Sequence, residues 1–288
     1  MTHTIRASGS VVATRRSAAS ARRRAAAVGL AVAAIAGGTA LLLSGGTTGA
    51  TPPMARADGA PVVVELFTSQ SCYSCPPAEA ILAELARRDG IVALEHHVDY
   101  WDSLVYGSAG RWKDVFSRPE ATERQRAYNA VVEGRGHSYT PQMVIDGRYE
   151  VVGSRDREVR RAIDGARRSD EPRLAVAAGV AGGKDLRVAV SGIAVPANGG
   201  AVGIWLVRYL REHTTEVTRG ENHGKTLSGR NVVLDMRRIG EWRGGDVVID
   251  VAGAKPDDEQ GCAVLVQSDT PGPVLGAAYC TLDKAADS

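Results

Sequence analysis

Two cysteines, Cys72 and Cys75, form a C-x-x-C motif. Thiols at this spacing close a disulfide, and the more N-terminal sulfur attacks while its partner resolves the mixed disulfide. We therefore predict a surface thiol pair with Cys72 as the exposed nucleophile and Cys75 as the resolving thiol. The pattern favours a thiol–disulfide oxidoreductase or a redox sensor that acts on protein thiols or disulfides. The same motif also occurs in zinc sites, so the spacing alone does not decide.

A carboxylate, Glu65, lies within an apolar run seven residues before Cys72. Burial raises the pKa of such a group, and a carboxyl with a raised pKa suits general acid–base chemistry. The alternative is a carboxylate that faces solvent at the edge of the sheet. A second candidate, Pro141, follows Thr140 at the start of a later apolar run, and an X-Pro bond can be cis.

His137, four residues before Pro141, opens a rival prediction. Two thiolates and one imidazole make a soft three-ligand site that suits Cu(I) or zinc. The second hypothesis is therefore a copper- or metal-handling protein with Cys72, Cys75 and His137 as ligands, whereas the oxidoreductase needs no cofactor. A third hypothesis is a protein-binding module in which the C-x-x-C pair is a structural disulfide.

The elements that must position these residues alternate between strand and helix. Apolar periodicity predicts the order β-α-β-α-β-β-α. The predicted strands are residues 61–67, 91–98, 142–145 and 149–152, and the predicted helices are 76–89, 117–133 and a third from residue 154. Ser117 and Glu120 predict a capping box on the second helix. Asp146-Gly147 predicts a two-residue hairpin turn.

Polar and aromatic residues 96–102 end the second predicted strand. In α/β proteins, functional sites lie at the carboxyl ends of strands. His96 and His97 are adjacent and so face opposite sides of the strand, and one of them is expected to point into the core. Trp101, in the same segment, is a candidate for contact with a substrate.

The second half of the chain consists of short β-rich runs separated by Gly, Pro, Asp and Asn, which is typical of an antiparallel sandwich. If Gln267 pairs with Val274, then Cys262 and Cys280 lie nearly opposite each other. This predicts a structural cross-strand disulfide, with two buried free thiols as the alternative. Residues 220–224 predict a turn, for which a contact with the first domain or with a ligand stays open.

The first 57 residues contain seven arginines and no acidic residue, so the net charge of +2 conceals a charge of −5 on the remainder. Because that remainder shows no basic stripe, nucleic-acid binding is not expected. Three arginines followed by the uncharged run 25–43 predict an export signal, or a membrane anchor if the run is not cleaved. Either alternative places the rest of the chain outside the cytoplasm, secreted or periplasmic.

The stretches ELFTSQSCYSCPPAEAILAEL, HVDYWD, ATERQRAY, YTPQMVIDG and RGENHG resemble the domain of unknown function 1223 family, over about residues 61–282. The resemblance implies an exported bacterial protein with a thioredoxin-like domain and no settled activity. The motif, the element order and the Thr-Pro pair together also resemble the thioredoxin superfamily. We therefore expect an α/β fold, with an export segment at 1–57, a thioredoxin-like domain at 58–170 and an all-β sandwich domain at 171–288.

The resemblance to the thioredoxin superfamily implies further roles. Glu65 corresponds to the buried acid that relays a proton to the resolving thiol. Pro141 corresponds to the cis-proline that packs beside the thiol pair. The backbone of Thr140 would then pair with an extended peptide substrate. Tyr139 and Trp101 complete the predicted substrate-binding residues.

Overall fold

The computed structural model describes residues 59–133, 137–192 and 202–282. Within these ranges the chain forms three α-helices: α1 (Pro76–Leu85), α2 (Pro119–Tyr128) and α3 (Asp156–Arg167). The strands are β1 (Val62–Thr68), β2 (Ile91–His97), β3 (Gln142–Ile145), β4 (Tyr149–Val152), β5 (Ala175–Gly182), β6 (Asp185–Ser191), β7 (Val202–Glu216), β8 (Thr226–Trp242), β9 (Val247–Val251), β10 (Gln260–Ser268) and β11 (Val274–Thr281).

The strands of the described residues form one mixed sheet in the order β4-β3-β1-β2-β8-β7-β10-β11-β5-β6-β9. β1 runs parallel to β2 and antiparallel to β3. One pairing, between Glu95 and Val232, joins β2 to β8. Beyond it, β8, β7, β10 and β11 pair antiparallel, and β11 runs parallel to β5. Strands from both halves of the sequence therefore share a single sheet.

The expected fold, a thioredoxin-like domain followed by an all-β sandwich, is wrong, and the residues of β1 show why. Val62, Val64 and Leu66 pack with residues of α1 and α3. Val63, on the opposite face, packs with Val207 of β7. Strands of the second half therefore bury a face that an independent α/β domain would cover with its own helices. The predicted boundaries between the export segment and the first domain (57/58) and between the two domains (170/171) stay predictions.

The start of α2 differs from the predicted capping box. Pro119 is the first residue of the helix, and Arg118 is its N-cap in an extended conformation, without a side-chain cap. The Ser117 hydroxyl instead donates a hydrogen bond to Asp102 Oδ2 at 2.6 Å. The capping-box prediction is wrong, because the Ser117 side chain binds Asp102 in the loop before the helix and does not cap the helix.

The turn between β3 and β4 is as predicted. Asp146 and Gly147 have φ angles of 55° and 65°, the left-handed conformation that a type I′ hairpin turn requires. The Asp146 carboxylate accepts hydrogen bonds from the backbone N–H of Val63 at 3.0 Å and from Arg173. The turn thus also anchors β1 and the segment that enters the second half.

The predicted disulfide between Cys262 and Cys280 is confirmed. Gln267 pairs with Val274, as the sequence predicts. A bulge after Val266 then shifts the register by one residue, so that Cys262 comes to lie directly opposite Cys280 on β11. The disulfide therefore joins two neighbouring antiparallel strands.

Within the described ranges, no helix is long and apolar enough to cross a membrane. The predicted export segment, residues 1–57 with its uncharged run at 25–43, lies outside the described residues. Its two alternatives, a cleaved signal or an anchor, stay predictions.

Candidate functional site

Cys72 and Cys75 are joined by a disulfide at the start of α1. Cys75 is the N-cap residue, and Pro76 and Pro77 fill the first two helical positions, where backbone N–H groups lack partners within the helix. Both cysteines are fully buried, although Tyr73 between them is 64% exposed. The predicted exposure of Cys72 is therefore wrong, whereas the predicted closeness of the two sulfurs is confirmed.

A turn from the second half of the chain covers the C-x-x-C segment, residues 70–75. This hairpin tip, residues 217–225, connects β7 to β8. Asn222 Nδ2 donates to the carbonyl oxygen of Gln70 at 2.9 Å and to that of Cys72 at 3.0 Å. The sequence analysis did not decide whether the turn at residues 220–224 contacts the first half of the chain. The structure shows that it does, through the C-x-x-C segment.

Two further contacts hold Tyr73 against the hairpin tip. The Glu221 carboxylate accepts a hydrogen bond from the backbone N–H of Tyr73 at 2.8 Å. Lys225 Nζ lies 4.0 Å from the centroid of the Tyr73 ring, which is a cation–π distance. Lys225 also donates to Asn222 Oδ1 at 2.9 Å. Polar contacts therefore hold the hairpin tip against the C-x-x-C segment. Local opening of such a turn costs less free energy than opening of a packed core.

Glu79 is buried in the first turn of α1. It follows Cys75 by four residues, so the two side chains share one face of the helix. The Thr68 hydroxyl donates to Glu79 Oε1 at 2.7 Å. Burial and then the charge of Glu95 raise the pKa of Glu79 to about 8. Sequence reasoning missed this residue because an acid in a first helical turn usually only stabilises the helix.

Glu65 faces away from α1 and takes part in a buried ion pair. Arg124 donates from Nε to Oε1 at 2.6 Å and from Nη2 to Oε2 at 2.9 Å. His96 Nε2 lies 2.9 Å from Oε1, and the Tyr128 hydroxyl donates to Oε2. Burial alone would raise the pKa of Glu65, but Arg124 and His96 outweigh it and hold the pKa well below its ordinary value. The predicted rise in pKa is wrong; the catalytic role of Glu65 stays a prediction.

The peptide bond between Thr140 and Pro141 is cis, as predicted. On α2, Gln125 donates from Nε2 to the carbonyl oxygen of Tyr139 at 2.7 Å and so holds the segment before β3. The Thr140 hydroxyl and Trp101 Nε1 are buried close to the Tyr100 hydroxyl. The substrate-binding roles of Tyr139, Thr140 and Trp101 stay predictions.

His137 is exposed, and its backbone carbonyl accepts a hydrogen bond from Asn129 Nδ2 at 3.2 Å. The structure joins Cys72 to Cys75. The described side chains close enough to share a metal ion form a group that includes neither His137 nor these cysteines. Copper binding by Cys72, Cys75 and His137 therefore stays a prediction.

A buried cluster of acids and histidines lies next to the C-x-x-C segment and was not predicted. His97 Nδ1 lies 2.6 Å from Asp114 Oδ2, and His97 Nε2 lies 2.8 Å from Glu95 Oε1. His213 completes the cluster, with Nε2 at 3.7 Å from Glu95 Oε1. The same Asp114 oxygen accepts a hydrogen bond from the backbone N–H of Gln70 at 2.7 Å. The cluster and the C-x-x-C segment therefore share a carboxylate.

Fold and site define a protein built on one large mixed β-sheet, with three α-helices among the described residues and a buried C-x-x-C disulfide whose segment is bound by a β-hairpin. The chain belongs to the family described as protein of unknown function (DUF1223), whose sequence pattern matches residues 63–267. Among solved structures it is similar to the crystal structure of protein AGR_C_4864 from Agrobacterium tumefaciens. The two are 28% identical, the match covers 79% of this chain and 96% of that chain, and the TM-score is 0.65. No curated protein matches this chain.

The expected DUF1223 family is thus confirmed. Membership of the thioredoxin superfamily is not confirmed by these similarities.

Proposed function

We propose that this protein carries out thiol–disulfide exchange through Cys72 and Cys75. The observation that supports this proposal is the disulfide that the two cysteines form at the N-terminus of α1. Helix N-termini stabilise thiolates, which lowers the pKa of a cysteine there and makes it reactive. Pro76 and Pro77 remove two of the N–H donors at this terminus, so we expect only a modest lowering and a pair that is not a strong oxidant.

The proposed reaction moves two electrons between the pair and a partner protein with two thiols. A partner thiolate attacks Cys72 Sγ, forms a mixed disulfide and releases Cys75 as a thiolate, which takes up a proton. The second partner thiol then loses its proton and attacks the partner's own sulfur in the mixed disulfide, which releases Cys72. The partner leaves with a disulfide and the protein with two thiols, and the reverse sequence reduces a partner.

In this proposal Glu79 supplies the proton. Its pKa of about 8 keeps it protonated at neutral pH, and it shares a face of α1 with Cys75. It can therefore protonate the Cys75 thiolate as that group leaves. Glu79 takes the relay role in our proposal because the Glu65 carboxylate is held ionised by Arg124.

Exchange requires both sulfurs to become accessible, since both are fully buried, and we propose that the hairpin tip moves to expose them. The bond from Asn222 to the Cys72 carbonyl must break for a partner to reach the disulfide. We propose that an extended segment of the partner then pairs with the backbone of Thr140, in contact with Tyr139 and Trp101.

We also propose that the protein acts outside the cytoplasm, exported by residues 1–57. Two disulfides, Cys72–Cys75 and Cys262–Cys280, support this location, because disulfides persist in oxidising compartments and are rare in the cytoplasm. An alkaline phosphatase fusion after residue 57 tests it: activity of the fusion requires export, and an inactive fusion contradicts the proposal.

A second candidate function is that of a protein-binding module in which Cys72–Cys75 is a structural disulfide. The complete burial of both sulfurs favours this alternative. This alternative predicts that a Cys72→Ser variant, provided that it folds, still binds its partner protein.

The reduction potential of the Cys72–Cys75 pair decides between the two candidates. The full chain with Cys262 and Cys280 replaced by alanine is equilibrated in graded glutathione or dithiothreitol buffers. A reversible potential between about −270 and −120 mV supports exchange. A pair that stays oxidised below about −300 mV contradicts exchange and supports the binding module.

A further inference from the structure

Three ligand-type side chains from distant parts of the sequence converge in the cluster beside the C-x-x-C segment. Glu95 and His97 belong to β2 and His213 belongs to β7. One ligand atom of each lies within 4.8 Å of those of the other two. The side chains of Glu95, His97 and His213 are 0%, 1% and 5% exposed. Two imidazoles and a carboxylate form a ligand set that binds zinc and other divalent transition metals.

His213 is the member with the weakest polar contacts: its ring packs against Phe116, and its nearest charged neighbour is Glu95 at 3.7 Å. Among the described residues, neither of its ring nitrogens has a partner within normal hydrogen-bond distance, although the Glu95 carboxylate lies close enough to form an ion pair. The distance of 3.7 Å from Nε2 to Glu95 Oε1 is too long for a hydrogen bond. Buried polar groups are nearly always paired, and an orphan in a native fold calls for a specific explanation such as an ion. A protonated His97 between Glu95 and Asp114 would satisfy those three side chains but would leave His213 with only its 3.7 Å contact to Glu95.

The backbone leaves room for an ion at this point. Gly229 on β8 lies opposite His213 on β7. A Cβ at Gly229 would lie closer than van der Waals contact to both His213 Nε2 and Glu95 Oε1. The φ angle of Gly229 is not among those in the left-handed region, so the backbone conformation does not require glycine here. The missing side chain instead keeps space free over the ligand atoms.

A second layer of contacts orients the ligands as in known metal sites. Asp114 binds His97 Nδ1 at 2.6 Å, which directs Nε2 of the same ring toward Glu95 and His213. The backbone N–H of Arg230 donates to Glu95 Oε2 at 3.1 Å and leaves Oε1 to the histidines. Carboxylate partners of this kind fix the ring orientation of metal-ligating histidines and raise their basicity.

Charge and access also fit a cation. Glu95 and Asp114 together supply two buried negative charges, which a divalent ion balances without a further counterion. His213 also lines a cleft of about 890 Å³, together with Phe116 and Arg230. The cleft gives an ion a route to the ligands and space for a water molecule or a small ligand at a further coordination position.

We propose that Glu95 Oε1, His97 Nε2 and His213 Nε2 bind one divalent transition-metal ion, with zinc as the closest match to this ligand set. The site differs from the predicted Cys72–Cys75–His137 site in every residue. It does not depend on thiol–disulfide exchange, because it uses neither cysteine of the motif.

The test is zinc titration of the full chain, with both disulfides intact, after removal of metal with EDTA. Calorimetry is expected to give one zinc ion per chain, and zinc is expected to raise the melting temperature. His213→Ala is expected to weaken binding at least about 100-fold, and Asp114→Asn about 10- to 100-fold. In the cobalt-substituted protein, the visible spectrum is expected to show nitrogen and oxygen ligation without thiolate bands.

Two histidine variants serve as matched controls. His223→Ala and His137→Ala remove exposed imidazoles elsewhere and are expected to leave zinc affinity unchanged. Wild type that binds no more zinc than His213→Ala overturns the proposal, as does binding that is lost in His137→Ala and kept in His213→Ala. If His213→Ala does not fold, Gly229→Ala provides the second test, since its methyl group occupies the ion's space and is expected to abolish zinc binding.

Discussion

The side-chain amide of Asn222 donates a hydrogen bond to the Cys72 carbonyl oxygen at 3.0 Å, so a residue of the β7–β8 hairpin tip binds the backbone of the buried C-x-x-C disulfide. Asn222→Ala removes this bond and the one to Gln70. At about 1 kcal/mol each, their loss is expected to make dithiothreitol reduce the Cys72–Cys75 disulfide about 30-fold faster, because reduction proceeds from the open state. The rate is measured by thiol release.

His223→Ala is the matched control for this prediction. His223 lies in the same turn and is exposed, so its truncation is expected to leave the reduction rate unchanged. Equal rates in Asn222→Ala and wild type would show that the hairpin tip does not limit access to the disulfide.

Replacing Glu79 by glutamine tests its proposed role as the proton donor to Cys75. The amide keeps the size of the side chain but cannot transfer a proton. We expect disulfide exchange with a small dithiol at pH 7 to slow about 100-fold or more. Glu84→Gln, on the same helix but exposed, is expected to have no effect. If both variants slow exchange equally, Glu79 acts through the helix rather than as a proton donor.

Local signals in the sequence predicted most of the helices and strands in the first half of the chain, although not the fold they form. The bounds of β3 and β4 match the prediction residue for residue, because Asp146 and Gly147 fix the turn and apolar residues fix the strands. The union of the two halves could not be predicted in the same way. It rests on one pairing, Glu95 with Val232, and on apolar faces that only the folded chain brings together.

In the site, the sequence predicted features that depend on residues close together in the chain. It missed the contacts made by residues that are distant in sequence. The C-x-x-C disulfide follows from local spacing, whereas the cis bond before Pro141 was expected from the resemblance to the thioredoxin superfamily. The hydrogen bond from Asn222 to Cys72 and the contact between His213 and His97 depend on where β7 and β8 lie in the sheet. No local sequence pattern predicts that position. The sequence predicted that one of His96 and His97 faces the core. In the structure both side chains are buried, because both faces of β2 are covered.

The Cys262–Cys280 disulfide is expected to stabilise the fold. It joins residues 18 positions apart, and a closed loop of this size is worth about 3 kcal/mol in the chain-entropy account. Replacing both cysteines by alanine is therefore expected to lower the free energy of unfolding in urea by about that amount. The Cys72–Cys75 disulfide joins residues only three positions apart, so replacing both of these cysteines by alanine is expected to cost less. An equal cost for both pairs would contradict this account.

Removing Arg124 is expected to destabilise the fold at neutral pH. Arg124 binds both carboxylate oxygens of Glu65, which is fully buried. Arg124→Met leaves that carboxylate without its main counter-charge, at a cost of about 3–5 kcal/mol. Arg160→Met, which breaks pairs with Asp156 and Glu84 on the surface, is the matched control and is expected to cost about 1 kcal/mol or less. The measurement is urea unfolding at pH 7.

The same ion pair predicts how stability depends on acid. Arg124 and His96 hold the pKa of folded Glu65 below the ordinary value of 4.5, so the unfolded chain binds a proton first as the pH falls. The stabilisation is complete above pH 4.5 and decreases as the pH falls from 4.5 toward the folded pKa. In Arg124→Met the folded pKa rises toward the unfolded one, so the free energy of unfolding should fall less between pH 5 and about pH 3 than in wild type. The same acid dependence in both proteins would show that Glu65 is not held ionised by Arg124.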